Sequence, residues 1–237
     1  MNILMIGNSY TVDCSRYLHR IARAGGAVIN TTCLYIGGCP LDRHFRNMHS
    51  GEEAYELYAN GEPTGFKVSL GDALVNREWD VNTFQQASFK SFDYETYQPY
   101  LDEVADYART LCPKAKFIIH QTWPDADTSP RLEGFGFQNN GEMFKALEAA
   151  YEKAAKAIGA EDIVRDGQLI YALYEAGLRP VWRDNGHISL GIGRYAAALL
   201  WYKKLTGNDI WANPFADFDE PIAPEDVEKI KTIVDTI

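Results

Sequence analysis

Basic charge is scarce in this chain. Its 237 residues carry 23 Lys and Arg against 33 Asp and Glu, a formal net charge of -10. Binding a phosphate backbone needs clustered cations, so nucleic acid is not an expected partner. The acid surplus serves solubility instead. Cysteine is sparse as well: Cys14, Cys33, Cys39 and Cys112 are scattered and form no CxxC pair. A disulfide scaffold and a zinc-ligand spacing are both excluded on that pattern. The four read as reduced thiols used for core packing, with Cys39 beside Pro40 the one nearest the candidate site. Long apolar runs are missing too. No stretch approaches the ~20 apolar residues a membrane helix needs, and no cationic segment precedes the first short run, unlike a signal peptide. The chain as given is therefore expected to be cytoplasmic, with no membrane partner. Repeats and low-complexity tracts are absent. What is there, 46% hydrophobic and 24% charged residues, suits an ordinary globular core.

Met1 to Ile6 is a continuous apolar run stopped by Gly7, the signature of a buried parallel strand. A helix is predicted over about 14–24, capped by Thr11 or Asp13 and ended by Gly25-Gly26. Ala27 to Leu34 is β-rich and is followed by Gly37-Gly38. Between about 42 and 78 the pattern is less regular. Weak alternation on either side of Asn60-Gly61 predicts a hairpin, then a short helix over 71–77, together an insertion over the core sheet. Further strands are expected at Trp79 to Gln86, Lys116 to Gln121 and Ile163-Val164. Helices are expected over 97–111, 141–158, 168–175 and 188–205, with a last one opened by Pro224. Thr122 to Asn140 reads as a long polar loop of the kind that borders sites. Strands that alternate with helices imply a parallel sheet covered on both faces. Ligands of such sheets sit at the carboxyl ends of the strands, where Ser9, Gly38, Gln85 and Gln121 fall. The whole chain, 1–237, reads as one domain of α/β class.

Two segments carry chemistry. Ser9 follows the first strand, and Asp184-Asn185-Gly186-His187 lies far downstream. A hydroxyl becomes a nucleophile beside a base, and an imidazole is a good base when a carboxylate orients it. Asp184 can accept from His187 Nδ1 and leave Nε2 for Ser9. The plainer readings are a Ser9 helix cap, an Asp184 turn cap and a surface His187. His44 follows Gly38 closely enough to line a pocket. No carboxylate spacing around His44, His49 or His120 indicates a metal, and no cofactor is implied. Trp123 and Trp182 flank the proposed site and suit either sugar stacking or core packing. Gly7-Asn8-Ser9-Tyr10-Thr11 is a poor phosphate loop, which argues against a flavodoxin-like nucleotide binder.

Several strings in order resemble the SGNH, or GDSL-like, hydrolase superfamily. They are Ile6-Gly7-Asn8-Ser9-Tyr10-Thr11, Gly37-Gly38-Cys39-Pro40-Leu41, Trp79-Asp80 leading to Gln85-Gln86-Ala87-Ser88, Gln121-Thr122-Trp123, and Asp184-x-x-His187. They are similar to a bacterial branch labelled a domain of unknown function, over Met1 to about Gly207. Asn8 stands where the superfamily usually has Asp. The resemblance implies a flavodoxin-like three-layer α/β/α sandwich with a central parallel sheet. It implies Ser9, Asp184 and His187 as a catalytic triad, and backbone N–H groups of Ser9 and Gly38 as oxyanion donors. The superfamily's side-chain Asn donor has no counterpart here, and Gln85 is the candidate replacement. Asn8, Tyr10, Gln86, Ser88, Trp123 and Trp182 are the expected substrate-binding residues. The implied activity is a serine esterase that removes acyl groups, acetyl above all, from a small-molecule or oligosaccharide ester through an acyl-enzyme. The alternative is a non-catalytic sugar- or acyl-binding module on the same scaffold, or lipase- or thioesterase-type specificity.

Overall fold

The fold is taken from a computed structural model that describes residues 1–237. Its centre is the first strand, β1 (Asn2–Gly7), whose residues alternate between two separate cores. Ile3 and Met5 enter one apolar cluster, and Leu4 and Ile6 the other. A strand apolar at every position is stable only when both of its faces are covered. Five strands run parallel: β1, β2 (Asn30–Tyr35), β5 (Val81–Phe84), β6 (Lys116–His120) and β7 (Asp162–Val164). The hairpin β3 (Tyr55–Ala59) and β4 (Glu62–Val68) adds two antiparallel strands beside β2. The order is β4-β3-β2-β1-β5-β6-β7 in a seven-stranded sheet.

The first cluster is covered by α1 (Ser9–Ser15), α2 (Leu18–Ala24), α8 (Asp166–Glu175), α9 (Ile192–Thr206) and α10 (Pro224–Asp235). The second is covered mainly by α3 (Leu41–Ser50), α4 (Leu70–Val75), α5 (Tyr100–Leu111) and α7 (Asn140–Ile158). A one-turn α6 (Arg131–Gly134) lies in the long loop after β6. The result is the three-layer α/β/α arrangement expected, with a mixed rather than wholly parallel sheet.

Three local differences have physical causes. The first helix begins at Ser9, because the Asn8 side chain caps it by accepting from Tyr10 N at 3.0 Å. Neither Thr11 nor Asp13 is the cap, and the segment breaks into two helices before Leu18. The 42–78 segment covers one face of the sheet with α3 and α4 and also extends the sheet itself, through the hairpin paired to β2. Its helix α3 leaves little apolar pattern in the sequence, because only Leu41, His44 and Asn47 are buried.

The register aligns the strand ends. Gly7 pairs with Tyr35, Ile6 with Phe84, and Phe84 with Ile119. The segments that leave β1, β2, β5 and β6 therefore emerge along one edge. A buried carboxylate ties the C-terminal half to that edge. Asp13, 1% exposed, accepts from Arg183 Nη1 at 2.9 and 3.0 Å and from Arg194 Nε at 2.9 Å. Arg183 also donates to the Ile188 carbonyl. Arg194 continues to Asp219, which Arg16 grips with two bonds and holds down to a pKa of about 2. Removing one member of a buried ionic set leaves its partners uncompensated. We expect Asp13→Asn to cost about 3 kcal/mol, measured as a fall in urea midpoint at constant slope. An unchanged midpoint contradicts this account of the network.

Candidate functional site

Ser9 is the first residue of α1, two residues past the end of β1. His187 comes from the loop between α8 and α9. Its Nε2 lies 2.8 Å from Ser9 Oγ, and its Nδ1 lies 2.8 Å from Asp184 Oδ2. The fold thus brings the three residues into one hydrogen-bonded line across 178 positions of sequence. The loop builds this from its own backbone. Asp184 Oδ1 accepts from Gly186 N at 2.8 Å and His187 N at 2.7 Å, leaving Oδ2 for the ring. Turn cap and imidazole partner are therefore the same carboxylate. Burial pushes its pKa up, but the His187 and Gly186 N–H groups and the His187 ring outweigh that. The net value falls from an ordinary 3.8 to about 2.

Neighbours fix the loop. Trp123 Nε1 donates to the Gly186 carbonyl at 2.7 Å, and Ala126 N donates to Asn185 O at 2.8 Å. Gly186 has no room for a side chain, because a Cβ would run into the Arg131 guanidinium and the Tyr10 hydroxyl. Arg131 in turn holds the buried Asp125 by two bonds of 2.7 Å. A cleft of about 450 Å³ opens beside Asp184, lined in part by Trp182, Tyr174, Arg179 and Asp127.

On the other side, Gly38 adopts φ +59°, a left-handed conformation that favours glycine. Neither Ser9 N nor Gly38 N donates to another group of the protein. Asn8 Nδ2 reaches the Cys39 carbonyl at 3.2 Å and so links the Ser9 turn to the Gly38 loop.

Other predicted residues take different roles. Gln85 does not face a ligand: its Nε2 donates to Asn8 Oδ1 at 2.7 Å, and its Oε1 accepts from Thr11 Oγ1. The expected oxyanion amide is thus spent beneath Ser9. Gln86 is buried and clamps loops, accepting from Leu41 N at 3.0 Å and donating to Thr96 O at 3.0 Å. Trp123 is buried and stacked on Tyr10 with centroids 4.3 Å apart, so it supports the site and offers no platform to a sugar. Tyr10 is buried edge-on to His187 at 5.6 Å. Trp182 is half-buried, with its indole N–H on Pro124 O. Ser88 is half-buried in the turn after β5 and holds Ser91 through its carbonyl. His44 lines no pocket: it is buried and bonded to the Tyr55 hydroxyl at 2.9 Å, and burial lowers its pKa to about 4.

A second set of nucleophile, imidazole and carboxylate exists that no spacing in the sequence revealed. The ligating atoms of Cys14, His120 and Asp166 lie within 4.8 Å of one another. They come from α1, the end of β6 and the start of α8. His120 Nε2 is 3.0 Å from Asp166 Oδ2, which also accepts from Trp201 Nε1 at 2.7 Å. Cys14 Sγ donates to Thr11 O at 3.3 Å. All three side chains are fully buried. Burial, and then the charge of Asp166, drives the Cys14 thiol well above its ordinary range. Sulfur, imidazole and carboxylate are donor types that transition metals accept.

Residues 2–231 match the family described as Domain of unknown function (DUF4886). No curated protein matches the chain. A solved DUF4886 family protein from Bacteroides uniformis is 29% identical, with TM-score 0.90 over 100% of this chain and 93% of its own. A putative GDSL-like lipase from Parabacteroides merdae is 15% identical, with TM-score 0.57 over 87% of this chain and 95% of its own. The second likeness is one of fold alone. The family shown is DUF4886; membership of the SGNH superfamily, expected from the sequence, is not shown.

These findings correct the functional expectation. The reading of a serine esterase has one triad, cysteines used mostly for packing, and Gln85 as the candidate oxyanion donor. The structure forms a Cys14–His120–Asp166 set as well, and it commits Gln85 elsewhere. A serine hydrolase working through an acyl-enzyme on carbohydrate esters, with a Ser-type catalytic triad as its defining feature, is not retained. No helix is long and apolar enough to cross a membrane.

Two measurements test the electrostatics. Because the folded Asp184 pKa lies below its unfolded value, its ionised form stabilises the fold above about pH 4. That contribution fades as pH falls toward 2. It is modest, since the side chain is 51% exposed. The urea-midpoint gap between wild type and Asp184→Asn should stay constant from pH 7 to 5 and narrow below 4; a gap that widens in acid contradicts the assignment. All four thiols are buried, so a thiol reagent should modify the native protein only as fast as it unfolds. Rapid labelling of Cys14 in the folded state contradicts the burial of its cluster.

Proposed function

We propose, taking as premise that the chain belongs to the DUF4886 family, that its Ser9 edge is an acyl-recognition site. On this reading the protein is a binding module on a hydrolase-type scaffold. It holds the carbonyl of an acyl group carried on a sugar or another small alcohol. The observation that carries the reading is the pair of backbone donors without internal acceptors, Ser9 N and Gly38 N, beside the Ser9–His187–Asp184 line. Unpaired N–H groups favour an acceptor oxygen, and a carbonyl supplies one. The polar cleft beside Asp184, with Trp182 and Arg179 on its walls, suits the alcohol part. Catalysis asks for more than recognition, because developing negative charge needs every donor. Gln85 is bonded to Asn8 and Thr11 instead, and losing one such donor typically costs ~10²–10³ in turnover.

Lipase- or thioesterase-type specificity is the second reading. It is favoured by one observation, the two 2.8 Å contacts in series from Ser9 through His187 to Asp184.

Calorimetric titration with an O-acetylated hexose and with the parent hexose separates the possibilities. The acetylated ligand should bind at least about tenfold more tightly, a step worth one factor of ten per 1.4 kcal/mol. Gly38→Val should weaken it, because a β-branched residue resists positive φ. Equal affinity for the two sugars overturns the proposal. Acid release from short thioesters or glycerides that disappears in His187→Ala moves the account to the second reading.

A further inference from the structure

We infer that Phe89 is the specificity-determining wall of this site, set to meet an apolar acyl chain longer than acetyl. The inference deepens the acyl-recognition reading and rests on it. Phe89 is one of the few large apolar side chains left in solvent, at 41% exposure. Single exposed apolar residues are common and carry no meaning alone. Here position and rigidity add to exposure. A methyl group placed on Gly38 would lie 4.0 Å from Phe89 Cε1, the nearest atom it would meet. One placed on Gly37 would lie 3.4 Å from the Tyr35 hydroxyl. Each glycine of the pair that offers the Gly38 N–H therefore has an aromatic side chain close by.

The loop that bears Phe89 is also fastened to the glycine loop. Gln86 Oε1 accepts from both Leu41 N and Ala87 N, at 3.0 and 2.9 Å, joining the two segments at one atom. Lys90 Nζ reaches Asp42 Oδ1 at 2.7 Å, a second bond between them on the next residue after Phe89. Tyr97 donates from its hydroxyl to Ser91 O at 2.7 Å and holds the far side. An exposed ring on a loop tethered this way does not fold back into the core. It stays beside Gly38 with apolar area uncovered. A carbonyl held at the Gly38 N–H places the first carbons of its chain within reach of that ring, and covering the ring stabilises the longer chain.

The test uses methyl ketones with butyl and decyl chains, followed by ligand-observed proton NMR on the full chain. The ketone carbonyl presents an acceptor without a cleavable ester. Each methylene fully buried is worth about fourfold in affinity. The wild type should bind the decyl probe at least about tenfold more tightly than the butyl probe. Phe89→Ala should remove most of that advantage and leave the butyl probe within about twofold. Phe89→Leu, which keeps an apolar wall and guards against a folding artefact, should retain most of it. A chain-length advantage that survives in Phe89→Ala overturns the role of Phe89 while leaving acyl recognition in place. Failure of the wild type to bind either probe overturns acyl recognition itself.

Discussion

A buried carboxylate organises this molecule. Asp13 sits on α1, four residues beyond Ser9, and is almost completely shielded from water. Arg183 and Arg194 both converge on it. Arg183 immediately precedes Asp184, so the ion pair fixes the start of the loop that delivers His187. Arg194 lies in the first turn of α9 and anchors the far end of that loop. The helix that carries the hydroxyl and the loop that carries the imidazole are thus held by one interaction. The short contact between Ser9 and His187 results from that grip, aided by Trp123 beneath Gly186. Surface ion pairs hold little. This one derives its strength from burial and from two bidentate-capable partners.

Much of the layered fold was legible in the sequence because periodicity reports burial. β1 reads as a two-sided strand because every residue from Ile3 to Ile6 is apolar, and the structure buries all four. The Asn60-Gly61 hairpin was legible from turn chemistry, with Asn60 at φ 53° and Gly61 at φ 84°. What failed were features fixed by distant partners. Gln85 looks like a free amide at a strand end. Its true partners, Asn8 and Thr11, lie 77 and 74 residues away. Trp123 fits a sugar platform and core packing equally well in the sequence, and only the buried Tyr10 ring stacked on it decides for packing. Helix α3 is not legible because its polar face dominates, and His44, which reads as a pocket-lining residue, is buried against Tyr55.

The two nucleophile–imidazole–carboxylate sets illustrate why composition does not decide chemistry. Ser9, His187 and Asp184 lie at the sheet edge, and Asp184 and His187 keep partial contact with solvent. Cys14, His120 and Asp166 lie fully buried between α1, β6 and α8, with Cys14 among the apolar residues of one core. The inner set has the residue types of a reactive centre, but desolvation keeps its thiol protonated. No single-residue spacing joins its members, since they come from α1, β6 and α8. The outer set is local at Asp184–His187 and therefore readable as a motif. The outer set also lies next to the Gly38 loop, which Asn8 ties to the Ser9 turn and whose Gly38 N–H has no internal acceptor.

The account stands on a carbonyl seated between two main-chain donors. A crystal soaked with a non-cleavable acylated sugar tests this directly. The account predicts density for the carbonyl oxygen within ~3 Å of both Ser9 N and Gly38 N, the ordinary N–H···O distance. Ligand density confined to other surfaces, with both N–H groups facing solvent, would contradict it.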